Sequence, residues 1–216
     1  VKDRYELVVF DWDGTLFDSI GWIVRCLQMA AAESCLEVPT ESQARSVIGL
    51  SLQQAMDALY PGGATEIRAQ QLVKQYREHY HKDSGHRLGL FEGVEPVLHE
   101  LRDRGYKLAV ATGKARSGLD HALNATGLTE FFDAIRCADE TASKPHPLMV
   151  HELLEELRVT HERTLLVGDS LHDLRMADNA GVDVVAVACG ANSRAELMAL
   201  NPLLCLETTP ELLNHL

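Results

Sequence analysis

The stretch LVVFDWDGTLFDS runs from Leu7 to Ser19. Four apolar residues lead straight into two aspartates one residue apart, and Gly14-Thr15 follows at once. An unbroken apolar run of this length is the pattern of a strand buried on both faces. Asp11 and Asp13 then sit where that strand ends. Taken alone, Asp-x-Asp-Gly fits a solvated turn equally well, because a short motif needs structural context before it carries chemistry.

That context comes from further along the chain. Leu7–Phe10, Lys107–Ala111, Thr164–Val167 and Val184–Ala188 read as buried parallel strands, with a weaker candidate at Asp133–Cys137. Helical spacing lies between them. In VEPVLHELRDRG, Val94, Val97, Leu98 and Leu101 share one face, and Gly105 supplies a stop. ARSGLDHALNATG and HPLMVHELLEELR repeat the pattern, as does DLRMADNAG before Gly181. Strands alternating with helices predict an α/β domain: a doubly wound, Rossmann-like core with a mostly parallel sheet. Such sheets bind ligands beyond the carboxyl ends of their strands. Asp11, Thr112 and Asp169 all fall at that edge.

Residues 19–88 break the alternation, showing helical patterns and no strong strand. Pro39, Pro61-Gly62-Gly63 and Gly85 punctuate them. The expected organisation is an α/β core made of residues 1–18 and 89–216, with residues 19–88 forming an inserted α-helical cap. The places where the chain leaves and rejoins the core are expected beside the aspartates.

Composition narrows the function. The 216 residues are 46% hydrophobic and carry a net charge of −12, which disfavours a nucleic-acid surface. No apolar run approaches the roughly 20 residues that span a bilayer. The opening VKDRYELVVF lacks the marks of a signal peptide. Five scattered cysteines form neither a disulfide framework nor a zinc motif, so a reducing cytoplasm is expected. An anionic substrate would need positive charge supplied locally by a metal, a lysine or helix N-termini.

Four segments, DWDGT at 11–15, VATGK at 110–114, SKPHP at 143–147 and GDSLHD at 168–173, together resemble the motifs of the haloacid dehalogenase superfamily of phosphohydrolases. They stand in that family's order and span essentially the whole chain. The inserted helices resemble the C1-type cap of its phosphoglycolate-phosphatase-like branch.

The resemblance implies that Asp11 is the nucleophile and Asp13 the acid/base. The residue chemistry agrees: a carboxylate at a strand end can attack phosphorus, and a second beside it can carry a proton. Dehalogenases of the superfamily lack the second aspartate, so Asp13 points to phosphoryl chemistry. Gly14 lets backbone approach the phosphate, Thr112 offers a hydroxyl and Gly113 an amide. Many relatives carry asparagine where Gly113 stands. Lys144 offers a compact positive charge for the phosphate or for Asp11. Two unit charges 4 Å apart repel by about 4 kcal/mol at an effective dielectric near 20. Gathering Asp11, Asp13, Asp169 and Asp173 therefore calls for a hard cation, and Mg²⁺ suits an oxygen-only site. The family implies as ligands the Asp11 and Asp169 carboxylates and the Asp13 backbone carbonyl. Asp173 then holds ligand waters or Lys144, and Ser170 either assists or caps a helix.

Other features stay structural. His79, His81 and His86 read as a solvated helix end, His146 as either a helix start or a residue grazing the substrate, and Trp12 as packing outside the site. Lys114 and Arg116 either steer an anion or lie on a helix surface. In the cap, Arg45, Gly49 and Ser51 are expected to face the substrate. The expectation is a monomeric or weakly self-associating Mg²⁺-dependent phosphatase acting on a small phosphorylated metabolite such as phosphoglycolate, without nucleic-acid or membrane partners. A phosphomutase or inorganic pyrophosphatase is the near alternative, and a non-catalytic phospho-ligand binding protein the distant one.

Overall fold

The computed structural model of the chain describes residues 4–61, 66–82 and 88–216. Among them, β1 (Leu7–Phe10), β2 (Lys107–Thr112), β3 (Ala134–Cys137), β4 (Thr164–Gly168), β5 (Asp183–Val187) and β6 (Leu204–Leu206) form one sheet. Its order is β3-β2-β1-β4-β5-β6, and every pairing is parallel. The strand order reverses at β1, which lies between β2 and β4. That reversal opens a crevice at the strands' carboxyl ends, the place where doubly wound sheets take their ligands.

All four β1 side chains are fully buried, and they alternate between two cores. Val8 and Phe10 pack with Val97, Leu98 and Leu101 of α5 (Val94–Asp103) and with Leu119 and Leu123 of α6 (Arg116–Thr126). Leu7 and Val9 face Met149 and Leu153 of α7 (Leu148–Leu157) and Met176 and Ala177 of α8 (Leu171–Ala180). Burying each large apolar side chain contributes about 1.5–3 kcal/mol. This double burial makes the strand rigid where it hands over to Asp11.

Among the described residues, four helices intervene between β1 and α5: α1 (Ile20–Glu33), α2 (Glu41–Ser46), α3 (Leu52–Leu59) and α4 (Glu66–His81). They have a hydrophobic cluster of their own, including Ile23, Leu27, Ala44, Val47, Met56 and Leu72. The two connecting segments run side by side. Phe17 bridges Leu90, Asp18 N donates to Gly89 O at 2.9 Å, and Phe91 N donates to Leu16 O at 3.0 Å. Gly85 and His86 lie outside the described residues.

The sequence reading found five strands, and the structure adds β6 and the short α9 (Arg194–Met198). β6 has only three residues, too few to show a period. α9 did carry a signal: Ser193 and Glu196 form a reciprocal capping box. The sheet is wholly parallel, and β5 starts at Asp183, one residue earlier than expected.

Candidate active site

Four separate segments meet at the carboxyl edge of the sheet. β1 delivers Asp11 and Asp13, β2 ends at Thr112, the segment before α7 brings Lys144, and β4 leads into Asp169 and Ser170. Lys144 is fully buried, with Nζ 2.8 Å from Asp11 Oδ1 and 2.6 Å from Asp173 Oδ1. The other Asp173 oxygen accepts from Ser170 Oγ at 2.6 Å and Ser170 N at 3.1 Å. Ser170 is also the N-cap of α8, with Asp173 completing the capping box. Helix capping thus fixes the carboxylate that holds the lysine. Asp169 Oδ1 accepts from Thr15 Oγ1 at 2.6 Å, and its Oδ2 accepts from Ala191 N at 2.7 Å.

Glycines make this crowding possible. A Cβ on Gly14, whose φ is +87°, or on Gly190 would collide with the Asp169 carboxylate. Neither position admits a side chain while Asp169 stays where it is.

The cluster is short of positive charge. Carboxylate oxygens of Asp11, Asp169 and Asp173 lie within 4.8 Å of one another, and all three residues are buried. Burial is the largest influence on the Asp11 carboxyl and pushes it up to about 7, Asp173 adding to the rise and Lys144 pulling it back. Asp169 is driven upward by burial first, then by Asp11 and Asp173. Burial opposes the charge on Lys144, yet Asp11 and Asp173 together hold its pKa above the ordinary lysine value. One ammonium against three carboxylates leaves two negative charges uncompensated. Asp11 Oδ1 has the Lys144 ammonium at 2.8 Å. Three buried carboxylates sharing one ammonium make an oxygen-rich pocket that fits a hard divalent cation.

A cavity of about 360 Å³ opens in front of this cluster, lined by Asp11, Asp13, Thr112, Gly113 and Lys114 on the core side. Asp169, Asp173 and Lys144 stand behind these residues. Lys144 therefore restrains Asp11 in this arrangement and does not open onto the cavity. From the inserted helices, Ile23, Leu27, Val47, Leu50, Tyr76 and Tyr80 close the other side.

The segment joining α2 and α3 lies directly on the motifs. Ser51 N donates to Ser143 Oγ at 2.8 Å, and His172 Nε2 meets Ser46 O at 2.9 Å. A Cβ on Gly113 would strike the backbone of Gly49 and Leu50. Where a side chain would extend, this sequence accepts the backbone of the inserted helices instead. Gly49 and Ser51 line the cavity as expected. Arg45 turns aside to Glu41 and the Gly190 carbonyl, at 2.9 and 3.1 Å.

Sequence reasoning missed several participants. Thr15 and Ser19 look like ordinary turn residues, yet Thr15 holds Asp169, and Ser19 Oγ donates to Asp13 Oδ1 at 2.7 Å. Lys114, read as steering or surface, donates to both Asp13 oxygens at 3.1 Å and to Tyr80 Oη at 2.8 Å. Tyr80 lies within a stretch read only as a helix and gave no separate signal. His79 is a correction: it is buried against Glu33 at 3.0 Å, not solvated. His81 is exposed, and His86 falls outside the described residues. His146 is exposed and its Nδ1 accepts from Leu148 N at 3.2 Å, a helix-start role. Trp12 packs away from the site, stacked on Phe17 at 5.5 Å between centroids.

Comparison with known proteins places this geometry in a family. Residues 8–187 match the haloacid dehalogenase-like hydrolase family. The chain is 34% identical to "Probable phosphatase IndB" of Dickeya dadantii (strain 3937) over 208 residues, covering 95% of this chain and 90% of that protein. It is 30% identical to the pyrophosphatase PpaX of Bacillus cereus (strain G9842), covering 97% and 95% respectively. Among solved structures, a "predicted phosphoglycolate phosphatase" from Haemophilus somnus 129PT superposes with a TM-score of 0.86 at 25% identity, over 100% of this chain and 99% of the other. A hydrolase from Pseudomonas syringae shares the fold at a TM-score of 0.89 and 22% identity, over 97% of each chain. The chain belongs to the haloacid dehalogenase-like hydrolases, and its relatives include phosphatases.

Proposed function

We propose that the protein is a Mg²⁺-dependent phosphatase of small organic phosphomonoesters, working through an aspartyl-phosphate on Asp11. The observation that carries this reading is the pair Asp11 and Asp13 at the cavity wall, backed by three buried carboxylates that share a single ammonium. Residues 1–18 and 89–216 then form the catalytic core, and residues 19–88 the cap that covers it.

The chain's own groups supply the steps. An Asp11 carboxylate oxygen attacks phosphorus while the bond to the leaving oxygen breaks, and the Asp13 carboxyl gives its proton to that oxygen. Water then attacks the phosphoryl group, Asp13 takes up its proton, and the bond to Asp11 breaks to release phosphate. Thr112 and the Gly113 amide hold phosphate oxygens during both steps. Lys144 keeps Asp11 in place and offsets part of the charge behind it. The Asp11 and Asp169 carboxylates and the Asp13 carbonyl would hold Mg²⁺, with Asp173 behind them. Bound there, the ion neutralises phosphate charge and lowers the barrier to attack.

The wall facing the aspartates favours an organic ester over pyrophosphate, the substrate in the name of the Bacillus relatives. Ile23, Leu27, Val47 and Leu50 suit a carbon skeleton, and Ser51, Arg77 and His81 on the same wall suit its hydroxyl or carboxylate substituents. Phosphoglycolate is the first ester to try. The five free cysteines suit a reducing cytoplasm, and among the described residues no helix is long and apolar enough to cross a membrane.

The test is phosphate release from a panel containing phosphoglycolate, glycerol phosphate, sugar phosphates, nucleoside monophosphates, pyrophosphate and p-nitrophenyl phosphate, with Mg²⁺ or EDTA. Turnover that needs Mg²⁺ and vanishes in Asp11→Asn is the expected result. Equal release by both proteins would remove Asp11 as the nucleophile. Transfer to a second hydroxyl without free phosphate would make the protein a phosphomutase.

A further inference from the structure

We infer that Lys114 is a positioning residue for Asp13, and that Tyr80 makes this positioning depend on the cap helix being seated. The inference rests on the phosphatase reading and goes beyond it by adding a core–cap link to the acid/base group.

Two side chains, Asp13 and Tyr80, converge on the ammonium. Lys114 Nζ donates to Asp13 Oδ1 and Oδ2, each at 3.1 Å, and to Tyr80 Oη at 2.8 Å. The same nitrogen lies 4.2 Å from the centroid of the Tyr80 ring. The Lys114 side chain is only 9% exposed and that of Asp13 12%, so this is not a solvated surface pair. Tyr80 in turn packs on Tyr76 of the same helix, with centroids 5.9 Å apart.

The arrangement gives the two Asp13 oxygens different work. Oδ1 accepts from both Ser19 and Lys114, whereas Oδ2 accepts from Lys114 alone among the described residues. Ser19 and Lys114 thereby fix the plane of the carboxyl group, and Oδ2 keeps a lone pair free to hold the transferable proton. A lysine can rotate its three donors, but it is held by a partner that belongs to α4. When that helix is seated, Tyr80 supplies an acceptor and an aromatic face that keep the ammonium over Asp13. When it is not, the ammonium has only Asp13 and water, and its hold on the carboxyl plane loosens.

General acid catalysis matters most when the leaving alcohol is a poor leaving group, and little when it departs unaided. The experiment therefore compares the fastest alkyl phosphate of the panel with p-nitrophenyl phosphate, in wild type, Lys114→Met, Lys114→Arg and Tyr80→Phe. kcat/KM covers only the steps through phosphoryl transfer to Asp11, so it isolates proton donation to the leaving oxygen. In Lys114→Met we expect kcat/KM for the alkyl ester to fall at least about thirtyfold, a part of the roughly 100- to 10,000-fold that an acid/base group contributes. For the aryl ester it should fall less than about threefold. Lys114→Arg should restore part of the loss, and Tyr80→Phe should show the same selectivity at smaller amplitude.

An equal loss on both esters would mean that Lys114 merely supports the fold, and would overturn the inference. A rise in KM with kcat unchanged would make it a substrate ligand instead. A Tyr80→Phe protein indistinguishable from wild type would remove the cap's part. A wild type active on the aryl ester alone would show that Asp13 gives no acid catalysis and would overturn the positioning role. A wild type silent on every ester would instead overturn the phosphatase reading.

Discussion

Replacing Lys144 with methionine tests the electrostatics of the buried cluster directly. The side chains are similar in length, so the change removes charge more than volume. It also removes both close contacts of the ammonium, 2.8 Å to Asp11 and 2.6 Å to Asp173, in a place with no solvent access. Breaking a buried pair by removing one partner costs about 3–5 kcal/mol, because the surviving charge is left without compensation. Removal of the ammonium's own desolvation is already part of that net figure. For a chain of this size the cost corresponds to a fall in Tm of about 6–20 °C. Thermal unfolding followed by circular dichroism in EDTA at pH 8 measures it. The loss should shrink at pH 6, since Asp11, held at about 7, then carries a proton and no longer needs the counter-charge. Asp173→Asn in the same background should recover part of the loss, because it removes one of the stranded carboxylates. A fall of less than about 2 °C at pH 8, or an equal fall at both pH values, would refute the reasoning.

Three further outcomes are expected. The folded-state pKa values of Asp11 and Asp169 are raised by burial, so the metal-free protein binds more protons folded than unfolded. Its stability should therefore rise as pH drops through about 7 and fall as pH climbs, a slope measurable by urea denaturation in EDTA. Mg²⁺ at 100 times its dissociation constant should add about 2.7 kcal/mol at pH 8, and a protein whose stability ignores Mg²⁺ would speak against the metal site. Gly113→Ala should lower kcat/KM at least about tenfold and lower urea stability by about 1–3 kcal/mol, since its Cβ strikes the backbone of Gly49 and Leu50, which cannot yield as a flexible side chain can. Unaltered kinetics would mean that the close approach of the two glycines is not used in turnover.

The parts of the molecule legible in the sequence are those where a single local pattern decides the outcome. β1 announces itself because burial on both faces requires four apolar residues in a row. Asp11 and Asp169 are readable because each stands immediately after a strand, Thr112 because it ends one, and Lys144 because it lies shortly before a helix. Lys114 was ambiguous for the opposite reason. Its partners Asp13 and Tyr80 lie 101 and 34 residues away, and no local pattern encodes a contact at that distance. Thr15 and Ser19 are similar cases, since their side chains would serve a plain turn equally well. β6 was missed because three residues cannot display an alternation, and its place is set by pairing with β5 rather than by its own composition.

The position of β1 in the sheet also shapes how the chain must be made. Leu7 pairs with Lys107 on one side and Thr164 on the other, so the central strand waits 100 and 157 residues for its neighbours. At a synthesis rate of about 5–20 residues per second, the first of those waits lasts about 5–20 s on the ribosome. Throughout it LVVF is an unpaired apolar strand, the kind of segment most exposed to misassociation. The four helices encoded next can assemble a cluster of their own in the meantime. Production of this protein should therefore be limited less by the stability of the finished sheet than by what shelters its first strand until the second arrives.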